Sequence, residues 1–364
     1  LHIGLEEGNE IDEVEKGLLV EAANDLAFAR EKVKADKALR KKEEEMSVLF
    51  SNLPGMAYRC KNERDWTMKF ISQGAKELTG PAPEDLTDNA LVSYGELIVP
   101  ADRDKVWNEV QQALDSDQPF ELEYRIETKK GQVKYVWERG RGVYTDEGEL
   151  KNLQGFISDI TERKNAQNEL QQSFIELAET TSRVLGVRDP YTQKHELRVG
   201  ELAREVGRRM KLDKDILLGL YLGGVLHDIG KIVVPETILT KPGELTDIEW
   251  NMIKSHPKVG YNQILKDTDF PWPVAEMTLH HHERLDGSGY PDGLEGDELT
   301  TEVRILGAVD VVEAMSTRRP YRESRTKERT LGVIKDGKGD KFDPEVVDVL
   351  VEMIEEGEIV FGSE

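Results

Sequence analysis

Three rhythms of apolar and polar positions run along the 364-residue chain. Residues 10–46 are rich in charge, contain no proline and have one interior glycine, Gly17. Within them Val14, Leu18, Ala22, Leu26, Ala29 and Val33 recur at steps of three and four, which predicts a polar helix with a narrow apolar stripe. Such a helix is marginal alone, so pairing in a coiled coil is expected; a solvated arm is the alternative. From about 46 to 160 the period is two: residues 58–60, 66–71, 120–128, 132–144 and 150–160 read as strands, with turns at Gly131 and Gly148. Short helices are expected over 74–78, 83–87 and 102–114. A further helix runs from Thr161 to about Leu185, where Leu170, Phe174, Leu177, Thr181 and Val184 keep the seam spacing of a two-stranded coiled coil. After a break at Asp189-Pro190 the pattern is helical almost to the end.

Five strands with helices inserted after the second predict an α/β module on an antiparallel sheet. Asn52-Leu53-Pro54-Gly55, Tyr58, Tyr124-Arg125, Gly131, Trp137 and the closing run Gly155 to Lys164 resemble a PAS domain over roughly residues 46–161. The resemblance implies a sensor whose last strand, ending in Asp159-Ile160-Thr161, passes movement into the following helix. The module holds no histidine, which argues against a histidine-ligated haem. Cys60 sits on the first expected strand, away from the helical motif where photosensing relatives form a flavin adduct. Trp66, Phe70, Trp107, Tyr135 and Trp137 would line a small-molecule pocket or fill a core, and at strand spacing the core reading is preferred. The sequence names no ligand for it.

Charge narrows the partners. With 72 acidic against 49 basic residues the formal net charge is −23, which repels nucleic acid and anionic membrane. A phosphate-bearing ligand would need a local positive site. One cysteine excludes an internal disulfide and suits a reducing cytoplasm. No apolar run is read as approaching the ~18 residues of a membrane span. These residues are therefore expected to be soluble and cytoplasmic. The chain opens on Leu1 rather than methionine, and a trimmed piece of a longer protein is expected.

Chemistry concentrates in the helical half. The chain has seven histidines, three of them consecutive, His280-His281-His282, and Gly287, Gly289, Pro291 and Gly293 then call for an irregular loop. His195 shares a helix face with Val199, Leu202, Val206 and Met210, the position of a core histidine or a ligand. An apolar helix over 217–226 ends in His227-Asp228, with Lys231 one turn on. Thr246 and Glu249 form a capping box for a helix that carries Trp250 and Ile253 and is interrupted at His256-Pro257. Asp310 falls inside the apolar run 305–312. Buried carboxylates need partners, and either hydrogen bonds or a metal ion provide them. Five imidazoles and two carboxylates without a thiolate favour divalent iron, manganese or zinc. Seven ligands exceed what one ion takes, so two ions bridged by Asp228 are expected. Paired ions about 3.5–4 Å apart activate a bridging water and stabilise in-line displacement at phosphorus.

His227-Asp228 with Lys231, His256-Pro257 with Gly260, His281-His282-Glu283, Asp286-Gly287-Ser288-Gly289-Tyr290-Pro291 and Asp310 resemble the HD-GYP family over about residues 180–356. This is the branch of the HD hydrolases that degrades cyclic dinucleotides, chiefly cyclic di-GMP. The resemblance implies an all-α domain and a carboxylate-bridged centre of two or three metals, usually iron or manganese. It makes His195, His227, Asp228, His256, His281, His282 and Asp310 the ligands, and His280 has no counterpart among them. It also implies phosphate contacts from Lys231, Tyr290, Arg319 and Arg322; for the two arginines a solvated basic turn is the alternative. Relatives with a third metal carry glutamate four residues before the first histidine, where this chain has Tyr191. That departure implies two ions and a linear dinucleotide product, pGpG, rather than GMP.

The expected whole is a multidomain homodimer: a coiled-coil helix over 1–45, a PAS sensor over 46–161, a coiled-coil linker over 162–185 and a phosphodiesterase domain over 186–364. Cyclic di-GMP is the expected substrate, Asp228 and Lys231 the catalytic residues, and GGDEF-type proteins a candidate partner. Two alternatives stay open: an HD phosphohydrolase for another nucleotide, and a non-catalytic cyclic dinucleotide-binding module.

Overall fold

The computed structural model of the chain describes residues 54–187, 190–241, 243–317 and 324–362, and most of 16–37; the side chains of residues 190–192 lie outside this set. The described residues between 16 and 37 are helical (α1), and Ala22, Leu26, Ala29 and Val33 are exposed on it. Val14 and Leu18 of the expected stripe lie outside the described residues. Packing divides the chain into two units, residues 1–168 and 169–364.

The first unit is built on five strands: β1 (Met56–Cys60), β2 (Met68–Ile71), β3 (Phe120–Glu127), β4 (Val133–Tyr144) and β5 (Leu150–Asp159). They form one sheet in the order β2-β1-β5-β4-β3, antiparallel throughout. Between β2 and β3 lie α2 (Ala75–Thr79), α3 (Pro83–Leu86), α4 (Tyr94–Leu97) and α5 (Arg103–Asp115). Helix α4 is too short to carry a period and is set by its Ser93/Glu96 capping box.

Strand alternation turns Phe120, Leu122, Tyr124 and Ile126 of β3 inward, and Val136 and Glu138 of β4 with them. Of the five aromatics expected in the interior only Trp66 is buried. Phe70 is 45 % exposed, and Trp137 faces outward, its indole N–H donating to Glu121 at 3.0 Å. The interior polar cluster is different: Tyr58 and Tyr124 donate to the buried Glu138, the latter at 2.5 Å, and the Tyr94 and Tyr124 hydroxyls lie 3.0 Å apart. Burial pushes the Glu138 carboxyl above its ordinary range, opposed by the two tyrosine hydrogen bonds.

Helix α6 (Thr161–Gly186) begins among the residues of the first unit and ends among those of the second. Its expected seam divides. Leu170, Leu177 and Val184 are 58 %, 59 % and 61 % exposed, whereas Phe174 packs 5.4 Å from Phe270 and 5.7 Å from Trp272, ring to ring. A large aromatic side chain is better buried against two others than left on a solvated stripe.

The rest of the second unit is helical: α7 (Pro190–Arg209), α8 (Lys214–Leu226), α9 (Glu236–Leu239), α10 (Asp247–Lys254), α11 (His256–Val259), α12 (Val274–His280), α13 (Thr301–Ser316), α14 (Lys327–Asp336) and α15 (Pro344–Glu356). Val199, Val206, Leu220, Leu222, Leu306 and Val309 belong to its core. The stretch Lys214–Val233 is, contrary to the sequence reading, long and apolar enough to cross a membrane; 67 % of its most apolar window is buried in the unit, as for a core helix.

Candidate metal centre

The expected ligands come partly from buried helix faces and partly from helix ends. His195 lies on the buried face of α7. His227 caps the C-terminus of α8, and Asp228 precedes a single 3-10 stretch, Ile229–Val233. Gly230 permits this turn, because a Cβ there would stand 1.9 Å from the His256 carbonyl oxygen. The helix break expected at His256-Pro257 falls one residue earlier, at Ser255. His256 itself opens α11, with Pro257 in the first turn, where a missing N–H is tolerated. His281 caps α12, His282 follows it, and Asp310 projects from the middle of α13.

These seven side chains converge. The ligating atoms of His195, His227 and Asp310 lie within 4.8 Å of one another, as do those of His227, Asp228 and His281, and of His256, His281 and His282. Asp228 faces two ways: Oδ1 is 3.1 Å from His256 Nε2, while Oδ2 is 3.3 Å from His227 Nε2. Asp310 Oδ1 is 3.2 Å from His195 Nε2, and its Oδ2 is 3.9 Å from His282 Nδ1. His280 is not part of this group; it pairs with Asp292 at 3.4 Å.

The imidazoles are oriented from behind. His227, His256 and His281 each place Nδ1 against the carbonyl three residues earlier, Gly224 (2.7 Å), Ile253 (2.7 Å) and Thr278 (2.8 Å). A carbonyl only accepts, so the proton is on Nδ1 and the Nε2 lone pair faces the group. His195 Nδ1 contacts buried Glu313, whose other oxygen accepts from the Thr317 hydroxyl at 2.8 Å. Buried His227 Nε2 has no hydrogen-bond partner. A buried cluster of aimed lone pairs and two carboxylates fits divalent cations.

The electrostatics keep both aspartates ionised and two of the histidines neutral, while the carboxylates draw His195 and His227 the other way. Burial would raise the Asp228 carboxyl, but Lys231 and His227 hold it well below the usual range; His195 does the same for Asp310. Burial pushes His281 down and His282 to about 3, so both stay neutral. For His195 burial is outweighed by hydrogen bonds from its ring to Asp310 and Glu313, which lift it to about 9. Lys231 lies in contact with Asp228 Oδ2.

Beyond the histidines, Glu283 organises the glycine-rich loop. Its Oε1 accepts from the N–H groups of Asp292 (2.7 Å) and Gly293 (3.1 Å), and its Oε2 from Leu294 (3.2 Å). Gly289 packs so closely that a Cβ would stand 2.3 Å from Glu283 Cα. Tyr290, on this loop, lies over the His282 ring with centroids 4.6 Å apart. Arg319 and Arg322 lie outside the described residues, as does the Tyr191 side chain.

Three carboxylates at the site had no role in the sequence reading. Glu313 stands three residues after Asp310 in an apolar helix, a visible signal. Glu283 is adjacent to the paired histidines, but its loop partners follow nine to eleven residues later. Glu196 is fully buried beside His195; it accepts from the Ser182 hydroxyl, and burial pushes its carboxyl up to about 7.

A family model described as HD domain matches residues 161–346, and one described as PAS fold matches residues 68–157. The chain is 36 % identical over 185 residues to the cyclic di-GMP phosphodiesterase response regulator RpfG of Xanthomonas campestris, covering 50 % of this chain and 49 % of that protein. It is 34 % identical over 198 residues to a cyclic di-GMP phosphodiesterase of Thermotoga maritima, covering 54 % of each. To 3'3'-cGAMP-specific phosphodiesterase 3 of Vibrio cholerae it is 30 % identical over 240 residues, covering 62 % of this chain and 52 % of that protein. The chain spans about half the length of the curated relatives it matches. The stretch that brings all seven side chains together lies within the stretch the first model matches, and this chain belongs to the HD-domain family.

Proposed function

We propose that the chain hydrolyses cyclic di-GMP with two divalent metal ions. The observation that carries this is the double aspect of Asp228, one oxygen toward His256 and the other toward His227, at the middle of seven converging donors. In this reading His195, His227 and Asp310 would hold one ion, His256, His281 and His282 would hold the other, and Asp228, which faces both groups, would serve each. A nitrogen and oxygen set without thiolate suits iron or manganese. The ions would supply an activated water and neutralise charge developing at phosphorus.

The chain's own groups do the rest. Lys231, beside Asp228, brings an ammonium to the phosphate, and Tyr290 borders the same space. Arg319 and Arg322 are assigned to the phosphates by the family resemblance. Tyr191, standing where three-metal relatives have glutamate, favours pGpG as product. The names of the relatives support a cyclic dinucleotide, and they differ in one base, cyclic di-GMP against 3'3'-cGAMP. Residues 46–161 are assigned to a PAS sensor and 162–185 to a dimer seam; exposed Leu170, Leu177 and Val184 support the seam.

Anaerobic incubation of iron- or manganese-loaded protein with cyclic di-GMP and 3'3'-cGAMP, with products separated by chromatography, tests the proposal. Linear dinucleotide from the parent and none from Asp228→Ala is expected. Unchanged hydrolysis by Asp228→Ala would refute it.

A further inference from the structure

Helix α10 leads into His256 and carries exposed apolar side chains: Ile248, Trp250 and Met252 are 76 %, 45 % and 39 % exposed. An indole left nearly half in water on a short helix is not explained by core packing. Its neighbour is Lys254, whose Nζ lies 5.7 Å from the Trp250 ring centroid and 5.3 Å from that of Tyr290. Tyr290 in turn lies over His282, with ring centroids 4.6 Å apart. A continuous run of contacts therefore leads from the metal-centre histidines, through a tyrosine and an ammonium, to an exposed indole. Among the described residues Lys254 has no carboxylate within ion-pair distance, in a chain of net charge −23. The cation is held between two rings rather than neutralised.

A ligand anchored at the centre by one phosphodiester must send the remainder of its body outward. The groups along this run match what a dinucleotide offers there: ammonium for a second phosphate, a flat indole for a purine face. We propose that Trp250 and Lys254, with Tyr290, form a base-stacking shelf: Trp250 stacks on a purine base of the substrate, and Lys254 bears on the phosphate that the metal group does not hold. The inference rests on the cyclic dinucleotide reading above and assigns it a specificity surface outside the ligand set.

The test uses manganese-loaded full chain carrying Trp250→Ala, Trp250→Phe or Lys254→Met. Loss of one stacked base predicts a KM for cyclic di-GMP raised about tenfold or more in Trp250→Ala, with kcat within about twofold of the parent. Trp250→Phe, which keeps a ring, should recover most of that affinity. Lys254→Met should raise KM and flatten its rise with salt. Tryptophan emission supplies a readout independent of turnover: GMP should quench the parent and quench Trp250→Phe markedly less. Parental KM and parental quenching in all three variants would overturn the shelf while leaving the hydrolase reading intact. A parent that turns over no cyclic dinucleotide would overturn both.

Discussion

Replacing Glu283 separates the glycine-rich loop from the metals. Its side chain is 4 % exposed and holds three backbone N–H groups at 2.7, 3.1 and 3.2 Å. Hydrogen bonds to a charged acceptor contribute about 1.5–3 kcal/mol each. Glutamine keeps the oxygen that takes two donors but turns an NH2 toward the Leu294 N–H, so roughly 2 kcal/mol of loop order is lost. Alanine removes all three bonds; water recovers part, since Asp292 and Gly293 are exposed, and about 3–5 kcal/mol is expected. None of the seven converging side chains lies within 284–294, so metal content should hold while Tyr290 loses its fixed place over His282. If the loop must be ordered to bind, Glu283→Gln raises KM by up to about 30-fold, and Glu283→Ala by more. Steady-state kinetics with product chromatography, alongside atomic emission on the same samples, measures both quantities. Loss of metal at unchanged KM would refute the argument, since it would put Glu283 in the service of the ions instead of the loop.

Glu313→Gln should weaken metal binding about 10–100-fold, read by competition with a fluorescent chelator, because the amide no longer draws the proton to His195 Nδ1. Stripping divalent ions should lower the melting temperature of the helical unit: saturation at about 1,000 times Kd is worth ~4 kcal/mol, or roughly 8–16 °C for a unit of this size. Calorimetry showing no shift would argue against a built metal centre. In the PAS-like unit, Glu138 has a folded pKa raised above 4.5, first by burial. A raised folded value means the contribution is complete below about 4.5 and is lost as pH rises through that folded value. Glu138→Gln, neutral throughout and still able to meet the two tyrosines, should therefore gain on the parent as pH rises above about 4.5, read in thermal melts.

What could be read from the sequence depended on contrast. His227, Asp228 and Asp310 are polar groups in or beside apolar stretches, where their types demand a common explanation, and they do meet in space. The sheet was visible through its period of two. The interior of that sheet was not: Trp137 and Glu138 are neighbours on β4, and only the register decides that the carboxylate turns in and the indole out. Phe174 illustrates a similar limit. Its spacing matched the exposed stripe of α6, but its partners Phe270 and Trp272 lie about a hundred residues along, where no local pattern announces them. Glu283 was hidden for the opposite reason, because a loop without periodicity leaves no mark of which backbone groups need an acceptor.

The back-bonded histidines have a consequence for how the centre is assembled. His227, His256 and His281 each take their tautomer from a carbonyl of the preceding turn, so one turn of helix suffices to present the lone pair. In the proposed centre those three histidines are preorganised locally and would meet ions as soon as their helices form. His195 differs, since its ring is set by Glu313, 118 residues away on α13. It acquires its aim only when α7 and α13 have docked, which makes it the histidine of the proposed centre that reports completion of the fold.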